Sequence, residues 1–157
     1  MPGRDNEALM HVVDEFGALM ADSGLPRTSG RVMGWLLVCD PPEQTTSQLV
    51  EALHASKASI SQATQLLAGV GLITKKHRRG SRELSYEMSP GVWERGFEAK
   101  RGLLDDMRNL AEEGLALVGE TPLERDRLLE VRDMYAFAAD EYGKMLEKWK
   151  TTKGDRR

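Results

Sequence analysis

Between His54 and Arg82 the chain places six basic side chains, Lys57, Lys75, Lys76, Arg78, Arg79 and Arg82, and no Asp or Glu. The whole chain has 22 Lys/Arg and 25 Asp/Glu, so the rest of it is strongly acidic. One basic stretch on an acidic protein makes a directed electrostatic surface suited to a polyanion. Inside the stretch, Ser56 can cap a helix whose outward positions are Lys57, Ala58, Ser61, Gln62 and Gln65. These residues are short or polar, and no acid among them would repel phosphate. Gln can pair in bidentate fashion with adenine, Ser can reach base edges or phosphate, and Ala58 can touch a thymine methyl. Lys57 stands near the helix N-terminus, where free backbone N–H groups also favour phosphate. Arg78, Arg79 and Arg82 surround Gly80 in a polar connector, and arginines at a hairpin tip suit the narrow minor groove.

Placing such residues requires a brace and a hairpin. Thr45-Thr46-Ser47-Gln48 fits a capping box for a short helix over 46–53, with Leu49, Val50 and Leu53 inward. A turn at His54-Ala55 leads to the outward-reading helix, about 57–70, held by Ile60, Ala63, Thr64 and Leu67 and ended by Gly71. Strands are expected over 72–76 and 83–88. This order is that of a winged helix-turn-helix, whose second helix lies in the major groove. A solvated polar helix face is the plainer account of the outward residues, and surface solubility that of the arginines; the capped helices and the basic hairpin together favour DNA.

Helical patterns flank this core. Leu9, Val12, Val13, Phe16, Leu19 and Met20 form one stripe over 5–23, closed by Gly24 and Pro26. A helix over 28–39 buries Val32, Trp35, Leu36 and Cys39, and Gly30 and Gly34 on one face let another backbone come close. After Ser89-Pro90, read as an N-cap and first-turn proline, two long helices span 90–118 and 122–150. Their stripes are Trp93, Phe97, Lys100, Leu104, Met107, Ala111, Leu115 and Val118, with Lys100 a polar interruption, then Leu128, Val131, Tyr135, Ala138, Tyr142, Met145 and Trp149. Thr121-Pro122-Leu123-Glu124 fits a second capping box, and the tail from Lys150 is expected to fray. The expected fold is mainly α with a small β-hairpin wing, in a single domain over 1–157: an N-terminal helix 5–23, a winged core 28–89 and C-terminal helices 90–150.

The stretch Gln48-Leu49-Val50-Glu51-Ala52-Leu53, Ser56 to Ser61, Leu67 and Gly71-Leu72-Ile73 resembles the winged domain of MarR-type bacterial regulators. Gly24-Leu25-Pro26-Arg27, Gly30 to Leu37 and Asp40 to Gln44 are similar to the GbsR-like subgroup. The resemblance covers about Gly24 to Met88. Ser81-Arg82-Glu83 stands where many members carry Asp-x-Arg, so an acid before the wing arginine is missing. The resemblance implies a homodimeric transcription regulator, built through its terminal helices and adjusted by a small-molecule effector. The long helical stripes agree; the alternative is that the two long helices pair within one chain. A ligand pocket is expected from Trp35, Trp93 and Phe97, with a plain hydrophobic core as the competing account. Some GbsR-like proteins are linked to quaternary ammonium compounds, which aromatic rings attract through cation–π contacts.

Other chemistries find little support. His11, His54, His77 and the single Cys39 match no zinc spacing, and Glu51-x-x-His54 occurs once without partner carboxylates. No nucleophile–base pair or glycine-rich phosphate loop appears, so neither catalysis nor a cofactor is expected. No apolar run approaches the ~20 residues that span a bilayer, and a cytoplasmic location is expected. The expected partners are double-stranded DNA and a second copy of the chain. A winged helix serving protein–protein contact is the alternative, and would call for an apolar or acidic reading face.

Overall fold

A computed structural model describes residues 6–77, 80–119 and 122–154. Two compact units divide at Val92. In the first, helix α1 (Asn6–Asp22) lies against α2 (Arg27–Val38), followed by strand β1 (Gln44–Thr45), α3 (Thr46–Leu53), α4 (Lys57–Gly69), and strands β2 (Ile73–His77) and β3 (Leu84–Met88). The sheet order is β1-β3-β2, antiparallel throughout, with Gln44 opposite Tyr86 and Lys75 opposite Tyr86 on the other side. β1 was not expected from the sequence; two residues that lead straight into a helix cap show no alternation to read.

The core joins α1, α2, α3, α4 and the sheet through Val13, Val32, Met33, Leu36, Leu49, Leu53, Ile60, Leu67, Ile73 and Tyr86. The glycine reading holds. A Cβ on Gly30 would meet the Gly17 Cα at 2.8 Å, and one on Gly34 the Val13 Cα at 3.2 Å. Bare backbone on α2 is what lets α1 approach so closely. The α1 stripe is only partly inward: Val13 is buried, while Val12 and Leu19 are exposed. Trp35 is half-buried, and its Nε1–H donates to Gln44 Oε1 at 3.1 Å, so β1 and α2 are tied through a satisfied polar pair.

The second unit is α5 (Val92–Leu117) and α6 (Pro122–Gly154), running antiparallel. The pairing within one chain, weighed above as an alternative, is present. Lys150 meets Glu98 at 3.2 Å, Lys153 meets Glu94 at 2.7 Å, and Leu128 packs on Gly114 near the other end. The buried line of α6 is Ala139, Gly143 and Leu146; of the expected stripe Leu128, Val131, Tyr135, Ala138 and Tyr142 are half-buried, while Met145 and Trp149 are exposed. Outside the pair, Leu103, Leu110 and Leu117 recur every seven residues and are exposed, as are Met134 and Phe137.

Two boundaries differ from expectation. Pro90 is not the first residue of α5. Gly91 takes φ 66°, the helix opens at Val92, and the Ser89 hydroxyl pairs with Thr74 instead of capping. At the other end α6 continues past Lys150 to Gly154, where fraying was expected, and Lys150 and Lys153 pair with Glu98 and Glu94 of α5. The cap residue expected of the second box, Thr121, lies outside the described residues. Among those described, no helix is long and apolar enough to cross a membrane.

Candidate nucleic-acid interface

The site is built on local caps. Thr45 Oγ1 accepts from Gln48 N at 3.2 Å, and Gln48 Oε1 accepts from Thr45 N at 2.8 Å, completing the expected box on α3. A further donor of the first turn, Ser47 N, reaches Glu83 Oε1 at 2.9 Å. The Ser47 hydroxyl, and then its N–H, hold this carboxyl's pKa below the usual range, as expected for an anion at a helix N-terminus. Glu83 therefore fastens the base of the wing to the helix-turn-helix, beside an arginine that lacks the preceding acid. The link joins residues 36 apart, and nothing local in the sequence signals it.

The turn between α3 and α4 is equally determined. His54 takes a left-handed conformation with φ 49°. Arg31 Nη1 donates to Leu53 O at 3.0 Å, and Arg31 Nε to Asp14 Oδ1 at 2.7 Å. One guanidinium thus joins α1, α2 and the last turn of α3, satisfying a carbonyl that the helix end leaves open. The sequence reading missed this role of Arg31, because its partners lie 17 and 22 residues away. Ser56 Oγ then accepts from Ser59 N at 3.1 Å and starts α4 as expected.

On α4 the predicted division of faces is present. Ile60, Ala63, Thr64 and Leu67 are buried, and Ser56, Lys57, Ala58, Ser61, Gln62 and Gln65 are all exposed. Thr64 is satisfied by its own helix, donating to Ile60 O at 2.9 Å. A cleft of about 360 Å³ brings Lys57 together with Arg82 at the foot of the wing, with Glu51 and Glu83 also in its wall. Arg82 is exposed; Arg78 and Arg79 lie outside the described residues.

The fold also modifies the charge pattern. The basic stretch is free of acids along the chain but not in space. Lys76 is held by Glu87 at 2.8 Å and Glu43 at 3.6 Å, and the hydrogen bond from Glu87 raises its pKa. Lys76 is therefore a sheet residue, whereas Lys57, Lys75 and Arg82 stand exposed. Of the residues assigned to a ligand pocket, Trp35 belongs to the first unit and bonds to Gln44. Trp93 and Phe97 share α5 in the second unit, both about half exposed, and Phe97 stacks on Tyr142 at 6.3 Å between centroids. Among the described residues, no group of three or more His, Cys, Asp or Glu could hold a metal ion.

A capped, three-helix core with a three-stranded sheet and a polar reading helix defines a winged helix-turn-helix. Residues 91–152 match the model of the MmpR5-like MarR family transcriptional regulators. The chain is 33% identical over 130 residues to the HTH-type transcriptional regulator MmpR5 of Mycobacterium tuberculosis (strain ATCC 25618 / H37Rv), covering 82% of this chain and 79% of that protein. It is 30% identical to a transcriptional regulator of known crystal structure, with a TM-score of 0.70 over 92% of this chain and 99% of that one. The chain belongs to the MarR family of transcriptional regulators. Membership favours a DNA-binding regulator over a protein–protein module.

Proposed function

We propose that this DNA-binding regulator acts as a homodimer that represses transcription from a pseudo-palindromic operator. The observation that carries the reading is the α4 face: six exposed residues with no acid among them, backed by a buried line, with Lys57 of that face sharing a cleft with Arg82. MarR-family regulators typically act as dimers. The second copy here would cover the exposed Leu103, Leu110, Leu117 and Phe137, an apolar surface of the kind that marks an association site. A two-fold axis then sets two α4 helices about one DNA turn apart, near 34–36 Å.

The proposal extends to an effector. The ligand would be a cationic or mostly apolar small molecule, a reading supported by the resemblance of Gly24 to Gln44 to the GbsR-like subgroup and by the half-exposed rings of Trp93 and Phe97. Its binding would lower operator affinity by a coupling of roughly 1–3 kcal/mol. The test of the function is selection of bound fragments from genomic DNA, followed by titration of single-base variants. Gln62→Ala should relax the preference at one base pair per half-site by roughly 1–3 kcal/mol. No enriched sequence, or a Gln62→Ala profile equal to wild type, would remove specific readout by this face.

A further inference from the structure

The cleft that brings Lys57 and Arg82 together is also lined by Glu83. A carboxylate there opposes an approaching phosphate, so its presence calls for a reason. Glu83 is held from two sides. Its Oε1 accepts from Ser47 N at 2.9 Å, in the first turn of α3, and its own N–H donates to Ser81 Oγ at 3.0 Å. The sheet begins with the next residue, Leu84, which lies opposite His77. Arg82 is therefore the middle residue of a closed turn. One end of that turn is fastened to the helix-turn-helix and continues into β3, while Arg82 itself stays exposed.

We infer that Glu83 is a positioning residue for DNA binding: by tying the foot of the wing to α3, it holds Arg82 where it and Lys57 meet the phosphate backbone together. The inference rests on the DNA-binding reading and deepens it at the same cleft. A segment already held in its bound conformation loses less freedom on binding, and affinity gains by that amount. The charge of the carboxylate works against this gain. The two effects separate chemically, because the tie needs an acceptor and the repulsion needs a charge. Glutamine keeps the acceptor and removes the charge; alanine removes both. Were Glu83 only a surface charge, the two neutral variants would bind DNA equally.

The test uses the full chain and a duplex selected by it from genomic fragments. Glu83→Gln and Glu83→Ala are made in wild type and in Arg82→Ala, with helix content checked by circular dichroism at the titration temperature. In the wild-type background Glu83→Gln should bind at least as tightly as the unaltered chain. Glu83→Ala should bind about fivefold more weakly than Glu83→Gln, the scale of one hydrogen bond, and its salt slope should move toward that of Arg82→Ala. In the Arg82→Ala background the two variants should bind alike, because the residue that Glu83 positions is gone. A loss of fold would instead weaken Glu83→Ala in both backgrounds. If Arg82→Ala weakens binding, yet Glu83→Gln and Glu83→Ala bind alike in wild type, the positioning role is overturned and the DNA reading stands. A difference between them that persists in Arg82→Ala overturns it as well. Arg82→Ala binding as wild type, with Lys57→Ala weakened, removes the wing and this role together while the DNA reading stands. If wild type binds no selected duplex, both fall.

Discussion

The winged unit and the helical pair use their apolar residues in opposite ways. In the winged unit the largest buried side chains, Met33, Leu49, Leu53, Ile60 and Leu67, belong to one core, and the α4 surface is polar apart from Leu66. In the helical pair the buried residues are small or few, Ala111, Ala139 and Leu146, and the large ones face outward, with Leu117 87% exposed. The first unit buries its largest apolar side chains within itself, although Val12, Leu19, Leu37 and Val70 are exposed; the second leaves most of its large ones exposed. Substitutions in the two units should therefore differ in kind as well as size.

The largest effect is expected in the closed core. Leu67→Ala should cost about 2–5 kcal/mol of stability, measured by urea unfolding, and the loss should not depend on protein concentration. A loss that grows on dilution would mean that the winged unit also relies on a partner. Next comes Phe137→Asp on the outward face of α6. A carboxylate there should weaken self-association by on the order of 100-fold, or about 2.7 kcal/mol, and move the mass in sedimentation equilibrium toward the 17.5 kDa monomer. An unchanged mass with intact helices would show that this face is not the interface.

A smaller change is expected at the brace of the reading helix. Thr45→Ala removes one half of the box on α3 and should cost about 1 kcal/mol, readable as a lower urea midpoint, with Glu83 still holding Ser47. The smallest effect concerns the end of the helical pair. Lys153 holds the Glu94 carboxyl below its usual range. The stabilisation is present above the unfolded value, about 4.3, and fades as pH falls through the lower folded value. Glu98 raises the Lys150 pKa, so that contribution is present below the unfolded lysine value and is lost as pH rises through the folded one. Carboxyl NMR titration should place Glu94 below a normal glutamate, and Lys153→Met should restore it; a normal midpoint in the intact chain would remove the clip.

How much of this was legible follows the same division. The caps at Thr45 and Ser56, the buried line of α4 and the two α2 glycines are set by neighbours within a few residues or by one helical face, so the sequence carried them. The link from Ser47 to Glu83, the Arg31 bridge and the capture of Lys76 by Glu43 and Glu87 join distant segments and leave no periodic trace. The long helices misled differently. Apolar residues occupy more than one face, so a single stripe could be drawn several ways; the one chosen for α6 mixed Tyr142, which stacks on Phe97 of α5, with Met145 and Trp149, which are about half exposed. The reading-face positions lay where expected on α4, while Arg78 and Arg79 lie outside the described residues.

The central claim is that Lys57 and Arg82, joined in one cleft beside α4, contact DNA phosphates. Titrating the selected duplex at several salt concentrations with wild type, Lys57→Ala and Arg82→Ala tests it most directly. Each phosphate contact contributes about 0.9 to the slope of log affinity against log salt. Each substitution should therefore weaken binding to all sequences and flatten the slope by about one contact. Slopes equal to wild type in both variants would contradict the account.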